Sequence, residues 1–130
     1  MELRFAPEAE VAPKVKLGEY NYQYAKDLED LSCLMEEGGL CLGGINATRV
    51  GTLLMIDRLW VDEPWRRKGV GSRLLSAVEE RGRAGGARKA ELNTFGFQAP
   101  GFYEKRGYQR FAAIEDAVEG YGHYFYWKAL

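Results

Sequence analysis

The sequence predicts a mixed α/β domain, a single sheet with helices on both sides. Three observations carry this. An apolar run at 52–61 reads as a strand and is broken by Asp62-Glu63-Pro64. The next stretch places Val70, Leu74, Leu75 and Val78 on one helical face and ends at Gly85-Gly86. A further strand, a short helix and two aromatic-rich strands then complete the chain. The 130 residues are expected to form one domain over 1–130, long enough to bury a real hydrophobic core.

In order, residues 3–6 read as a short first strand. Residues 8–25 read as partly helical, broken by Pro13 and loosened by Gly18. Two strands follow at 28–36 and 40–45, joined at Gly38-Gly39, a hairpin signal. Residues 46–50 read as a short connection. The strand at 52–61 is apolar enough to predict burial on both faces over much of its length. Along the helix at 69–84, Arg73, Glu79, Glu80 and Arg81 fall largely off the apolar face. Residues 89–94 read as a strand and 100–105 as a short helix closed by Gly107. The segments 108–114 and 121–130 read as a final antiparallel pair. There is no internal repeat, low-complexity segment or linker.

A formal charge of −1 argues against a general nucleic-acid binder. No apolar run approaches the ~20 residues of a membrane-spanning helix. The opening Met1-Glu2-Leu3-Arg4-Phe5 lacks the pattern of a signal peptide, so a cytoplasmic protein is expected. Cys33 and Cys41 lie in apolar segments that read as strands, which predicts reduced core cysteines and no disulfide. Two cysteines and one histidine are too few for a metal site.

The chemistry is concentrated in Arg66-Arg67-Lys68-Gly69-Val70-Gly71, between the apolar strand and the amphipathic helix. Glycines let a ligand approach the backbone, and the unpaired N–H groups of a helix start favour an anion. The three cations add full charge, so a phosphorylated ligand is expected. The P-loop pattern does not fit. A dinucleotide fingerprint fails too, because Leu74 stands at its third glycine.

Three blocks in order resemble the GNAT superfamily of acetyl-coenzyme A-dependent N-acetyltransferases. The first is Leu59-Trp60-Val61 followed by Arg66-x-x-Gly69-x-Gly71. The second is Glu91-Leu92-Asn93-Thr94. The third is Ala99-Pro100-Gly101-Phe102-Tyr103-Glu104-Lys105-Arg106-Gly107-Tyr108. The resemblance is good over 52–108 and covers the first fifty residues only in general layout. It implies a mostly antiparallel mixed sheet with a splayed parallel strand pair, acetyl-coenzyme A as co-substrate, and a small-molecule amine as acceptor. The His123-Tyr124-Phe125 stretch resembles a small bacterial branch of the family.

By that resemblance the backbone of Leu59, Trp60 and Val61 pairs with the pantetheine arm and polarises the acetyl carbonyl. The loop amides of Lys68, Gly69, Val70, Gly71 and Ser72 take the pyrophosphate, with Arg66, Arg67, Lys68 and Arg73 neutralising charge. Asn93 bonds the arm or caps its strand. Phe102 packs against the core or the cofactor. Tyr103 is expected to protonate the leaving thiolate, the alternative being a packed helix tyrosine. Some members carry a glutamate base where this chain has Met55. Asp57, two residues on, is either that base or a solvated partner of Arg58, and Glu36 is an outside candidate. His123 reads as structural or as a base. Tyr20, Tyr22 and Tyr24 read as an acceptor wall or as ordinary packing. A homodimer through the aromatic C-terminal strand is open. A non-catalytic acyl-coenzyme A sensor is the alternative to an enzyme.

Overall fold

The computed structural model describes residues 1–130. Its strands are β1 Glu29–Asp30, β2 Cys33–Glu37, β3 Leu40–Val50, β4 Leu53–Val61, β5 Lys89–Phe95, β6 Gln109–Val118 and β7 Tyr121–Ala129. Its helices are α1 Glu8–Val11, α2 Leu17–Asn21, α3 Val70–Ala84 and α4 Pro100–Glu104, with 3-10 turns at Ala12–Lys14 and Glu63–Trp65. The strand order is β1-β3-β4-β5-β7-β6, and β2 also pairs with β3. Every pairing is antiparallel except β4 with β5. The mixed sheet and its parallel pair are as expected; helices on both sides are not, because α1 and α2 bury no residue and the sheet face away from α3 stays open.

The core lies between the sheet and α3. Val70, Leu74, Leu75 and Val78, the residues of the predicted helical stripe, are buried with Leu54, Ile56, Ala90 and Leu92. Each large side chain so buried contributes roughly 1.5–3 kcal/mol. Glu79 departs from expectation, because it is buried too. Its carboxylate accepts a hydrogen bond from the Tyr108 hydroxyl at 2.7 Å and from Lys128 Nζ at 3.1 Å. These donors satisfy a charge that would be costly to bury alone.

Several boundaries differ from the sequence reading. Residues 3–6 form no strand, and the helical region 8–25 is reduced to two single-turn helices and a 3-10 turn. The strand expected at 28–36 is interrupted at Leu31-Ser32, where the Ser32 hydroxyl accepts a bond from the Ala47 N–H. The Gly38-Gly39 hairpin forms, both residues having positive φ. Residues 46–50 are not a connection but the second half of β3. Arg49 disguised this: it occupies a buried strand position at 5% exposure. It donates to Glu29 at 2.7 Å, to the Asp27 carboxylate at 3.1 Å and to the carbonyls of Asp27 and Gly51. β4 is buried on alternate residues only in its first half, and Asp57, Arg58 and Trp60 are exposed. The cysteines are free as expected but are not core residues, since Cys33 is half-buried and Cys41 exposed. β6 runs on to Val118 and is exposed throughout.

Candidate active site

A fork in the sheet sets out the site. β4 and β5 pair only at Leu53 with Lys89, Leu54 with Ala90 and Met55 with Glu91. Beyond Met55, β4 keeps β3 as its partner and leaves β5. A β-bulge marks the parting: Ala47 pairs with Ile56 and Asn46 with Arg58, so Asp57 is the extra residue. Bulges bend a strand and re-aim its side chains. Leu54 and Ile56 face the core before the bulge, and Leu59 and Val61 pack against it afterwards. Gly43 admits the resulting close approach of β3, for a Cβ there would lie 2.6 Å from the Trp60 carbonyl oxygen.

The register also decides which backbone groups of β4 line the fork. The Asp62 N–H donates to the Leu42 carbonyl. Antiparallel alternation then turns the N–H and C=O of Trp60 toward β3 and those of Leu59 and Val61 toward the gap. The Val61 carbonyl accepts Arg66 Nε at 2.8 Å. The Leu59 groups and the Val61 N–H remain to pair with an extended ligand. The Trp60 indole donates to Asp62 at 2.8 Å, and the Arg66 guanidinium lies 4.5 Å above its ring.

The basic loop ends at the N-terminus of α3. Arg67 and Gly69 have φ of 62° and 83°. For a residue with a Cβ, as Arg67 has, that conformation costs of order 1–2 kcal/mol. The helix start has no side-chain cap and no acidic residue in its first turn. Only Arg73 N–H finds the Gly69 carbonyl, leaving the N–H groups of Val70, Gly71 and Ser72 directed outward. Lys68 Nζ sits 5.2 Å from the Trp65 ring centroid. Arg66, Arg67, Lys68 and Arg73 form no ion pair. Arg106, which the sequence reading did not single out, joins them. It donates to the Ser72 hydroxyl at 3.1 Å and to the Phe102 carbonyl at 2.9 Å, and its guanidinium covers the Phe102 ring at 3.7 Å. Its signal was the Lys105-Arg106-Gly107 run after the short helix. Five cations without counter-ions around an uncapped helix start form a site for a polyanion. A coenzyme A pyrophosphate fits this donor set.

Phe102 and Tyr103 reach this corner from α4. Phe102 packs over Gly71, where an added Cβ would be 3.4 Å from the ring. Tyr103 is buried and stands edge-on to Phe102 and Tyr108, at 5.2 and 5.9 Å between centroids. Its hydroxyl has no hydrogen-bond partner in the protein and is not sealed from solvent. Burial pushes its phenol above the usual tyrosine value, so it stays protonated at neutral pH. Burial, reinforced by the Glu79 carboxylate, raises Tyr108 further, which makes it a fixed donor.

Asn93 lies on β5 two residues past the last β4 pair, on the face away from the core. Its Oδ1 meets His123 Nε2 at 3.0 Å, and the imidazole stacks on Phe95 at 4.3 Å. The structure thus joins two residues that the sequence treated separately. Asp57 is 74% exposed in its side chain and pairs with Arg58 at 3.6 Å. Glu36 is exposed. Tyr20, Tyr22 and Tyr24 are also exposed, so within one chain they wall nothing.

The comparisons with known proteins agree with this geometry. The sequence profile described as the Acetyltransferase (GNAT) family matches residues 2–108. Blasticidin-S acetyltransferase of Streptomyces morookaense is 40% identical over 85 residues, a match covering 65% of this chain and 62% of that protein. A crystal structure of an acetyltransferase from Bacillus cereus is 33% identical, with a TM-score of 0.83 over 100% of this chain and 98% of its own. An aminoglycoside 6′-N-acetyltransferase complexed with coenzyme A shares the fold, with a TM-score of 0.67 and 18% identity over 78% of this chain and 73% of its own. None of the helices is long and apolar enough to cross a membrane. The chain belongs to the GNAT acetyltransferase family.

Proposed function

We propose that this chain transfers an acetyl group from acetyl-coenzyme A to the amine of a small molecule, by direct attack. The observation that carries the reading is the uncapped, counter-ion-free start of α3 beside the forked β4–β5 pair, with the unpartnered Tyr103 hydroxyl at the same corner. Lys68 to Ser72 and the surrounding cations hold the pyrophosphate. The Leu59 and Val61 backbone holds the pantetheine arm in the fork. A free N–H there stabilises negative charge developing on the acetyl oxygen.

In the reaction the amine nitrogen bonds to the acetyl carbon and the carbon–sulfur bond breaks. Sulfur leaves with the electron pair and takes the Tyr103 phenolic proton. The amine's surplus proton passes to a base. Asp57 is one acceptor, reached through solvent. His123 is the second, favoured by its bond to Asn93: with Oδ1 accepting from Nε2–H, the imidazole's Nδ1 lone pair is free. The antibiotic named for the Streptomyces relative makes compact, amine-bearing antibiotics the first acceptors to try.

The test is thiol release from acetyl-coenzyme A across an amine panel, for wild type and Tyr103→Phe. Amine-dependent release that collapses in the variant supports transfer. Tight binding with no amine-dependent release from the wild type would make the chain an acyl-coenzyme A sensor.

A further inference from the structure

Tyr103 stands on a helix too short to hold it. α4 has five residues and no side-chain N-cap, and a single turn has no stability of its own in water. Acid catalysis depends on where the phenol points, since a displacement of about 1 Å can cost 10²-fold in rate. Part of the fixing is local. The Tyr103 carbonyl accepts the N–H groups of Arg106 at 3.0 Å and Tyr108 at 3.1 Å, and its ring meets Phe102 and Tyr108 edge-on. These contacts all lie within residues 102–108. The polar link from there to the start of α3 runs through one side chain, Arg106.

Arg106 joins two helix ends. Its Nη1 donates to the Phe102 carbonyl at 2.9 Å, at the C-terminal end of α4. Its Nε donates to the Ser72 hydroxyl at 3.1 Å, in the first turn of α3. The last carbonyls of a helix lack partners along the chain, and a cation beside them is favourable. The flat guanidinium also covers the Phe102 ring at 3.7 Å, and that ring packs on Gly71. The group is half-buried and has no carboxylate partner. A charge alone could serve an anion from many positions. Two directed bonds and a stacked ring fix one geometry.

We propose that Arg106 is a positioning residue: by tying the C-terminal end of α4 to the first turn of α3, it holds the Tyr103 hydroxyl at the corner where that turn meets the fork. The proposal rests on the reading of Tyr103 as the acid. The charge of Arg106 adds to the anion cradle, and its geometry serves the acid. Lysine cannot replace it, because an ammonium keeps the charge but lacks the planar fork that reaches a carbonyl and a hydroxyl together.

A double-mutant cycle tests the proposal with wild type, Arg106→Lys, Tyr103→Phe and the double variant. One reading is the rate of thiol release at saturating acetyl-coenzyme A and fixed hydroxylamine, a nucleophile too small to need an acceptor pocket. The other is the affinity for acetyl-coenzyme A by calorimetry. Arg106→Lys is expected to lower the rate about 10-fold or more, with the dissociation constant within about threefold of wild type because the charge is kept. In the Tyr103→Phe background the same substitution is expected to change the rate by less than about twofold, since nothing is left to position. Ser72→Ala keeps the backbone N–H and removes the other end of the bridge, so it lowers the rate in the same Tyr103-dependent way. A wild-type rate in Arg106→Lys, an equal loss in both backgrounds, or a loss of affinity as large as the loss of rate would overturn the proposal and leave Tyr103 as the acid. A wild-type rate in Tyr103→Phe would overturn the acid reading itself, and the proposal with it.

Discussion

On the α3 face of the sheet every sealed polar side chain has a partner, and on the opposite face the chain leaves aromatic rings, a histidine and an acidic residue open to water. Glu79, Tyr108 and Lys128 show the first condition, Asp57 and the Asn93–His123 pair the second. The closed face is fixed by packing and satisfied charge, so it holds Tyr103 and the helix start in one geometry. The open face is fixed by little and is where an acceptor is free to vary. The proposed transfer needs that division: a rigid half for the acyl donor and an adaptable half for the acceptor.

The largest effect expected on this contrast is at Tyr103. Tyr103→Phe keeps the buried ring and removes the proton, so kcat falls about 10²–10⁴-fold while the KM for acetyl-coenzyme A stays near wild type. An unchanged kcat would reduce Tyr103 to packing. The pH profile sharpens the same point. Burial raises the Tyr103 phenol, so in wild type the alkaline loss of activity from this group lies above pH ~10, and a profile falling between neutrality and that value would assign the acid elsewhere.

On the closed face, Tyr108→Phe leaves a Glu79 oxygen without its short bond and is expected to cost about 1–3 kcal/mol of stability, read by denaturant unfolding. His123→Asn, on the open face, is expected to leave stability nearly untouched and to lower kcat/KM by about 10²-fold, the loss of a general base. An unchanged kcat/KM would return the role of base to Asp57 or to solvent. The smallest effect concerns Asp27. The Arg49 guanidinium holds its carboxyl below the usual range. Its contribution is therefore present above the unfolded value of ~3.9 and is lost as pH falls through the lower folded value. Asp27→Asn flattens the acid side of the stability curve.

The closed face was largely legible in the sequence. Val70, Leu74, Leu75 and Val78 recur at helical spacing, and Arg66 to Gly71 stand between a strand and a helix, so periodicity located the core and charge marked the proposed phosphate cradle. What escaped was set by tertiary partners. Arg49 and Glu79 look like surface residues until Asp27, Glu29, Tyr108 and Lys128 are brought to them from far along the chain. The Asp57 bulge leaves no mark in composition, because it arises from the register of β3 against β4. The bond between Asn93 and His123 joins residues thirty apart and exists only through β5–β7 pairing.

The central claim is that the start of α3 holds acetyl-coenzyme A, and calorimetry on wild type and Gly71→Glu tests it most directly. The substitution adds bulk and negative charge at the free amides, where a Cβ itself meets only ordinary contact with Phe102. Micromolar binding by wild type and a loss of about 100-fold or more in the variant, some 2.7 kcal/mol, is the predicted result. Equal affinity in the two proteins, or no binding by a folded wild type, would contradict the account.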